Sequence, residues 1–243
     1  MQEADKVKAK RLPSKRTLIA GIIILILIPA LIAVGMIFWD DRKYYIVSIG
    51  IILLSFIPFI MKFEKRRPQA RELVTLAVMI AIAVAGRAAF YMLPQFKPVT
   101  AIVIITGVAF GGEAGFIAGA CTGFISNFFF GQGPWTPWQM FGFGVVGFLA
   151  GVLFKKGLLP KNTIPLCIFG GIATFVIYGF VVDTGSVFMF SGAVTWKSAL
   201  AVYASGAPFN AIHAASTVLF LAVLAKPMLG KLDRIKTKFG LLE

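Results

Sequence analysis

The chain alternates long apolar runs with short breaks that are basic or rich in turn-forming residues. Eight apolar runs stand out, near 17–39, 44–61, 72–93, 98–111, 113–130, 138–154, 164–182 and 198–225. A hydrocarbon core about 30 Å thick calls for about 20 apolar residues per helix, so the runs predict membrane-crossing helices, the fourth being short. Gly and Pro interrupt several of them, which spanning helices tolerate because neighbouring helices and waters satisfy the freed backbone groups. The period-2 alternation of a membrane barrel is absent. The expected fold class is all-α: a polytopic membrane protein with no soluble domain.

Composition agrees with the pattern. At 58% hydrophobic residues the chain is too apolar for a soluble domain. The first run follows a basic stretch, as in a signal peptide. From Leu18 to Trp39 it is too long for a signal core, and no small-x-small cleavage site follows it. An uncleaved first helix is expected.

A net charge of +14 raises the question of nucleic acid, and its placement answers it. If the amino terminus is cytoplasmic and all eight helices cross, 19 of 24 basic residues fall on the cytoplasmic side, in the stretches 6–16, 62–71, 155–161 and 226–238. Arg42, Lys43, Arg87, Lys97 and Lys197 fall opposite. This is the positive-inside pattern, and no nucleic-acid partner is implied. A plasma-membrane protein with both termini cytoplasmic is expected. Cys121 and Cys167 lie inside expected helices, and the single His and lack of a Cys-x-x-Cys support neither a metal site nor a disulfide framework.

One seam is visible. Residues 62–71 are strongly charged. Before them lies a hairpin of two plain helices rich in Ile and Leu; after them the helices become rich in Gly, Ala, Ser, Thr and Phe, as where helices pack closely. The expected division is a basic tail plus accessory transmembrane hairpin over 1–69, a six-helix substrate-binding core over 70–230, and a short basic tail over 231–243. Gly111, Gly115, Gly119 and Gly123 recur at a spacing of four, as do Gly147 and Gly151, which predicts close internal backbone contact. Ala77, Ala81 and Ala85 form a third stripe. It begins near the basic linker, so a partner helix is an alternative to internal packing.

The segment Gly131-Gln132-Gly133-Pro134-Trp135-Thr136-Pro137-Trp138-Gln139-Met140 is a stiff, aromatic, hydrogen-bonding turn between two apolar runs. Few polar residues enter the membrane segments, and those few gather at one end: Arg87, Asn127, Gln139, Asp183, Asn210 and His213. Such groups are costly in lipid and serve a cavity or a partner. The expected binding residues are Arg87, Asn127, Gln132, Trp135, Trp138, Gln139 and Asn210, with the tryptophan turn capping an outward cavity. His213 is expected to be a satisfied core residue.

Catalytic readings fail one by one. Near Gly192 the Walker spacing is broken by Trp196 where Gly is required. Ser205 and His213 lie eight residues apart on one helix, about two turns, too far for a hydrogen-bonded pair. There is no His-Glu-x-x-His and no mid-membrane carboxylate pair. No enzyme activity, catalytic residue, cofactor or metal is expected.

Four stretches carry a resemblance: 86–90 (GRAAF), 94–101 (PQFKPVTA), 111–116 (GGEAGF) and 126–139 (SNFFFGQGPWTPWQ). In order and spacing they resemble the substrate-binding (S) subunits of energy-coupling factor (ECF) transporters. The resemblance covers about 70–230 and is specific for 86–140. It implies a six-helix core with an outward site for a micronutrient vitamin, docked on a coupling membrane subunit and two ATPase subunits, which would supply the missing ATP chemistry. It implies that the subunit topples in the membrane to release ligand inside. The Ala77/Ala81/Ala85 stripe resembles the family's docking motif. Within the family, the tryptophan turn looks most like the branch for cobalamin or related corrinoids, although a flat purine-like or pterin ligand suits the same turn. The hairpin at 1–69 departs from the family pattern. An independent secondary carrier and a ligand-free membrane scaffold are the alternatives.

The charge split predicts sidedness. Cysteines placed at Asp40 and Ser191 should react with an impermeant reagent on intact cells, and a cysteine at Thr163 only after permeabilisation. Labelling at Thr163 in intact cells contradicts the arrangement.

Overall fold

In a computed structural model the protein is described over residues 15–39, 44–61, 70–191 and 194–240. Eight helices lie among them. α1 covers 15–39, with a wider π-helical turn at Ile23–Leu27 just ahead of Pro29. α2 is Tyr44–Met61, α3 Ala70–Ala89, α4 Val99–Phe110 and α5 Gly112–Phe130. α6 is Trp135–Lys155, α7 Thr163–Phe190 and α8 Trp196–Phe239. No strand occurs among the described residues. Six of the eight are long and apolar enough to cross a membrane; α4 and α5 are outside that set.

Several boundaries differ from the sequence expectation. α3 stops at Ala89, and the stretch to Pro98 is irregular because Pro94 and Pro98 cannot continue a helix. α7 runs on to Phe190, so Asp183 lies inside it rather than at its close. α8 carries the helix through most of the expected basic tail to Phe239, where Gly240 stops it at φ 58°. The amino-terminal basic tail at 1–14, the loop at 40–43 and nearly all of the charged linker (62–69) fall outside the described residues.

α4 is the hub. Its sequence is apolar on every side, and all twelve residues are buried, as expected of a helix with no polar face. At about 1.5 Å per residue it is only about 18 Å long, too short to cross by itself. Gly111 reverses the chain at φ 105° and ψ 170°, a conformation open to Gly, and α5 returns to the end where α4 began. At the turn, the carbonyls of Ala109 and Phe110 accept from Lys236 Nζ (3.0 Å) and Lys155 Nζ (3.2 Å). A helix carboxyl end leaves such carbonyls unsatisfied, and cations there also oppose the helix dipole.

The glycine stripes are internal, as their spacing predicted. A Cβ on Gly115 would run into the carbonyl oxygen of Gly147, and one on Gly119 would lie 2.5 Å from the backbone of Phe143. α5 and α6 therefore touch backbone to backbone, the close approach that small residues permit. Ala77, Ala81 and Ala85, by contrast, are all exposed on the outside of α3. The α1–α2 hairpin does touch the core: Ile24, Ile28, Val47 and Ile51 pack with Phe116, Met140 and Phe148 of α5 and α6.

Gly147→Val should overpack this seam, at a cost of about 1–3 kcal/mol or more. The melting temperature in detergent should fall, while Gly230→Ala, where a Cβ meets nothing within 4 Å, should leave it unchanged. Equal melting of the two variants contradicts the packing argument.

Candidate substrate-binding site

A cavity of about 230 Å³ opens where α3, α4, α6, α7 and α8 converge. Its lining includes Arg87, Gln95, Lys97, Gln139, Tyr178, Asp183, Asn210 and His213, with Phe143, Val182 and Phe209 as apolar faces. Phe143 and Tyr178 stack at 4.5 Å, and the His213 ring meets Tyr178 edge-on at 4.9 Å. The result is an aromatic corner surrounded by polar side chains.

Arg87 reaches the cavity from α3 and is held from α5. Its Nη1 donates to Ser126 Oγ (2.5 Å) and to Asn127 Oδ1 (2.9 Å). The guanidinium lies 4.5 Å from the Phe130 ring, and Lys97 Nζ lies 5.0 Å from the same ring, within cation–π range. Burial, together with the nearby Arg87 charge, holds the Lys97 ammonium below its ordinary pKa.

Asn127 spends three of its four hydrogen-bonding valences on this framework. Its oxygen accepts from Arg87, and its Nδ2 donates to Thr136 Oγ1 (3.1 Å) and Gln139 Oε1 (3.0 Å). Two donors and an occupied acceptor leave little for a ligand, so Asn127 positions Arg87 and Gln139 rather than touching the cavity. The bond to Oε1 also turns the Gln139 amide so that its Nε2 donors are not used on Asn127.

The tryptophan turn is built from the same polar thread. Thr136 Oγ1 donates to Gln132 Oε1 (2.9 Å), accepts from Gly133 N (3.2 Å) and from Asn127, and Gln132 Nε2 donates to Phe124 O (2.8 Å). Trp135 Nε1 donates to Gly131 O (3.2 Å). Trp138 stacks near Phe188, with Gly185 beneath it, and forms a narrow crevice with Pro134, Pro137 and the hairpin residues Ile32, Gly35, Met36, Tyr44 and Val47.

Of the seven residues expected to bind, the structure brings Arg87, Gln139 and Asn210 to the cavity wall. Asn127 and Gln132 stand behind it; Trp135 and Trp138 lie off it, Trp138 toward the hairpin side. His213 is only half satisfied: Nε2 pairs with Thr100 Oγ1 at 2.9 Å, while Nδ1 has no partner among the described residues. Tyr178 was not legible as a site residue. It ends a π-helical stretch, Ala173–Tyr178, the kind of register shift that often marks functional positions, and nothing in local composition announces it. Gln95 and Lys97 were visible only as part of a proline-bounded motif.

The family described as ECF-type riboflavin transporter, S component, matches residues 68–230. The chain belongs to that family. It is therefore a transporter subunit rather than an enzyme, a multi-pass membrane protein, and its membership implies a small-molecule substrate and partnership with ECF membrane and ATPase subunits in general. The S component is also similar to UPF0397 proteins. One from Vibrio atlanticus is 28% identical over 124 residues, 48% of this chain and 68% of that protein. One from Aliivibrio fischeri (strain MJ11) is 29% identical over 124 residues, 49% of this chain and 65% of that protein. No solved structure matches the chain.

The relay predicts a separable role for Asn127. Asn127→Ala should weaken ligand binding about tenfold, roughly 1.4 kcal/mol, by releasing Arg87 and Gln139. Gln132→Ala, one bond further from the cavity, should have an effect under about threefold by the same conversion. Isothermal titration with the purified S component checks both.

Proposed function

We propose that this S component captures a flat heteroaromatic micronutrient of the riboflavin class from outside the cell. Delivery inward would require a coupling membrane subunit and two ATPase subunits. The observation that carries this reading is the 230 Å³ cavity with its stacked aromatic corner and ring of polar side chains. Sites for drug-sized ligands run from about 300 to 1,000 Å³, so this one suits a compact ring system whose tail projects out. A corrinoid, with its macrocycle and nucleotide loop, is far too large to be enclosed, and the matching family carries riboflavin in its description. Both considerations favour a flavin over the corrinoid that the tryptophan turn suggested.

In this reading Arg87, Gln139 and Asn210 contact the ligand, while Asn127 and Gln132 hold the framework. Trp135 and Trp138 fix the turn between α5 and α6, and Pro134 and Pro137 limit its freedom, which lowers the ordering cost of binding. Residues 70–230 act as the binding unit, with the hairpin within 1–69 as its accessory buttress. Both termini lie in the cytoplasm of a plasma-membrane protein. The exposed Ala77, Ala81 and Ala85 face on α3 is where a coupling-subunit helix would dock, since nothing among the described residues covers it.

Riboflavin fluorescence should be quenched on titration with the purified protein. Arg87→Ala should raise the dissociation constant at least tenfold, about 1.4 kcal/mol, with the folded yield unchanged. Trp135→Ala should change it by less than about threefold. A wild-type protein that leaves riboflavin fluorescence unaltered and instead retains cobalamin contradicts the reading. Separately, Ala81→Leu should reduce pull-down of the ATPase subunits while leaving riboflavin binding intact; the reverse outcome removes the stripe from docking.

A further inference from the structure

Asp183 has an unusual situation. It lies inside α7, it is 8% exposed, and it lines the cavity. Its one hydrogen-bond partner among the described residues is neutral: Asn210 Nδ2 donates to Oδ2 at 2.7 Å. No cation pairs with it within 4 Å among the described residues. A carboxylate withdrawn from water without a charged partner is expensive, and intramembrane carboxylates usually serve a function.

The chain also makes room for this pair on both sides. A Cβ on Gly206 of α8 would lie 2.6 Å from Asp183 Oδ1 and 2.7 Å from Oδ2. A Cβ on Gly179 of α7 would lie 2.7 Å from Asn210 Nδ2. Any other residue at 179 or 206 would push the pair apart, so two helices leave out a side chain at the points where the pair sits. Asn210 occupies Oδ2 and orients the carboxylate, and no bond among the described residues uses Oδ1.

The surroundings say what Oδ1 can accept. The same cavity carries donors with hydrogens unused among the described residues: Arg87, bonded there through Nη1, and Gln139, bonded there through Oε1. A wall with one anionic acceptor and amide and guanidinium donors is complementary to a ring edge in which an N–H stands between carbonyl groups. Carbonyls would take hydrogen bonds from Gln139 and Arg87, and the N–H would be left for Asp183. The geometry points to Asp183, held by Asn210, as the specificity-determining acceptor for a cyclic imide N–H of the substrate. This rests on the flavin reading above and adds to it, since the isoalloxazine ring carries such an edge.

The test uses the full chain in lipid nanodiscs, with riboflavin and N3-methylriboflavin, which lacks the imide hydrogen. The wild type should prefer riboflavin by at least tenfold. In Asp183→Ala, which removes the acceptor and opens space for the methyl group, the two ligands should bind within about twofold of each other. If that variant does not fold, Asp183→Asn, of the same shape but uncharged, should lower the preference at least threefold, since a bond to an ionised acceptor is roughly twice as strong as a neutral one. Full wild-type discrimination in either folded variant overturns the role of Asp183 while leaving flavin capture in place. Failure of the wild type to bind riboflavin at all overturns both.

Discussion

The contact on which the rest depends is the backbone-to-backbone seam between α5 and α6. Lipid offers no hydrophobic drive to hold helices together, so dispersion and close fit must do it. Gly115 and Gly119 on one side and Gly147 on the other let the two helices meet without side chains between them. That closeness places Asn127 of α5 within reach of Gln139 of α6. Separate the two helices by the width of a methyl group and the polar thread behind the cavity loses its middle.

The cavity wall is then a matter of a few groups fully occupied by protein, which leave others free. Thr136 is saturated, and both N–H groups of Asn127 are committed, so neither has a donor left for a ligand. Among the described residues the free valences belong to Arg87, Gln139, Asp183 and His213 Nδ1, on α3, α6, α7 and α8. Selectivity in such a site comes from leaving buried polar groups unpaired when the wrong ligand enters. The aromatic corner of Phe143 and Tyr178 adds a planar surface without reading hydrogen-bond pattern.

The helices were legible because spanning segments are long and their apolar character is dense; even the shortness of α4 showed. Glycine spacing gave the seam, because only close approach explains four glycines on one helical face. The polar residues at one end gave Arg87, Gln139 and Asn210. What sequence missed has physical reasons. Trp135 and Trp138 looked like a lid because nothing local reveals that Trp138 faces the hairpin. Tyr178 reaches the cavity only through a π-helical stretch, which no periodicity rule anticipates. Asp183 looked terminal because the apolar run thins there, whereas α7 continues for another two turns. His213 looked satisfied because a missing partner at one ring nitrogen is a property of neighbours from other helices.

One feature of α4 bears on motion. Its Phe110 end is held by Lys155 and Lys236, and its Val99 end by the Thr100–His213 bond and, just ahead of the helix, by Ser216 Oγ, which donates to Lys97 O at 2.9 Å. Pinned to α8 towards both ends, by His213 and by Lys236 twenty-three residues further along that helix, α4 is a strut rather than a spring. A force applied to α8 near Lys236 would be carried along α4 as rigid translation, about 18 Å to the floor of the cavity. The two ends of α4 would then shift in concert or not at all, so the cavity and the Lys236 end of the bundle answer to a single lever.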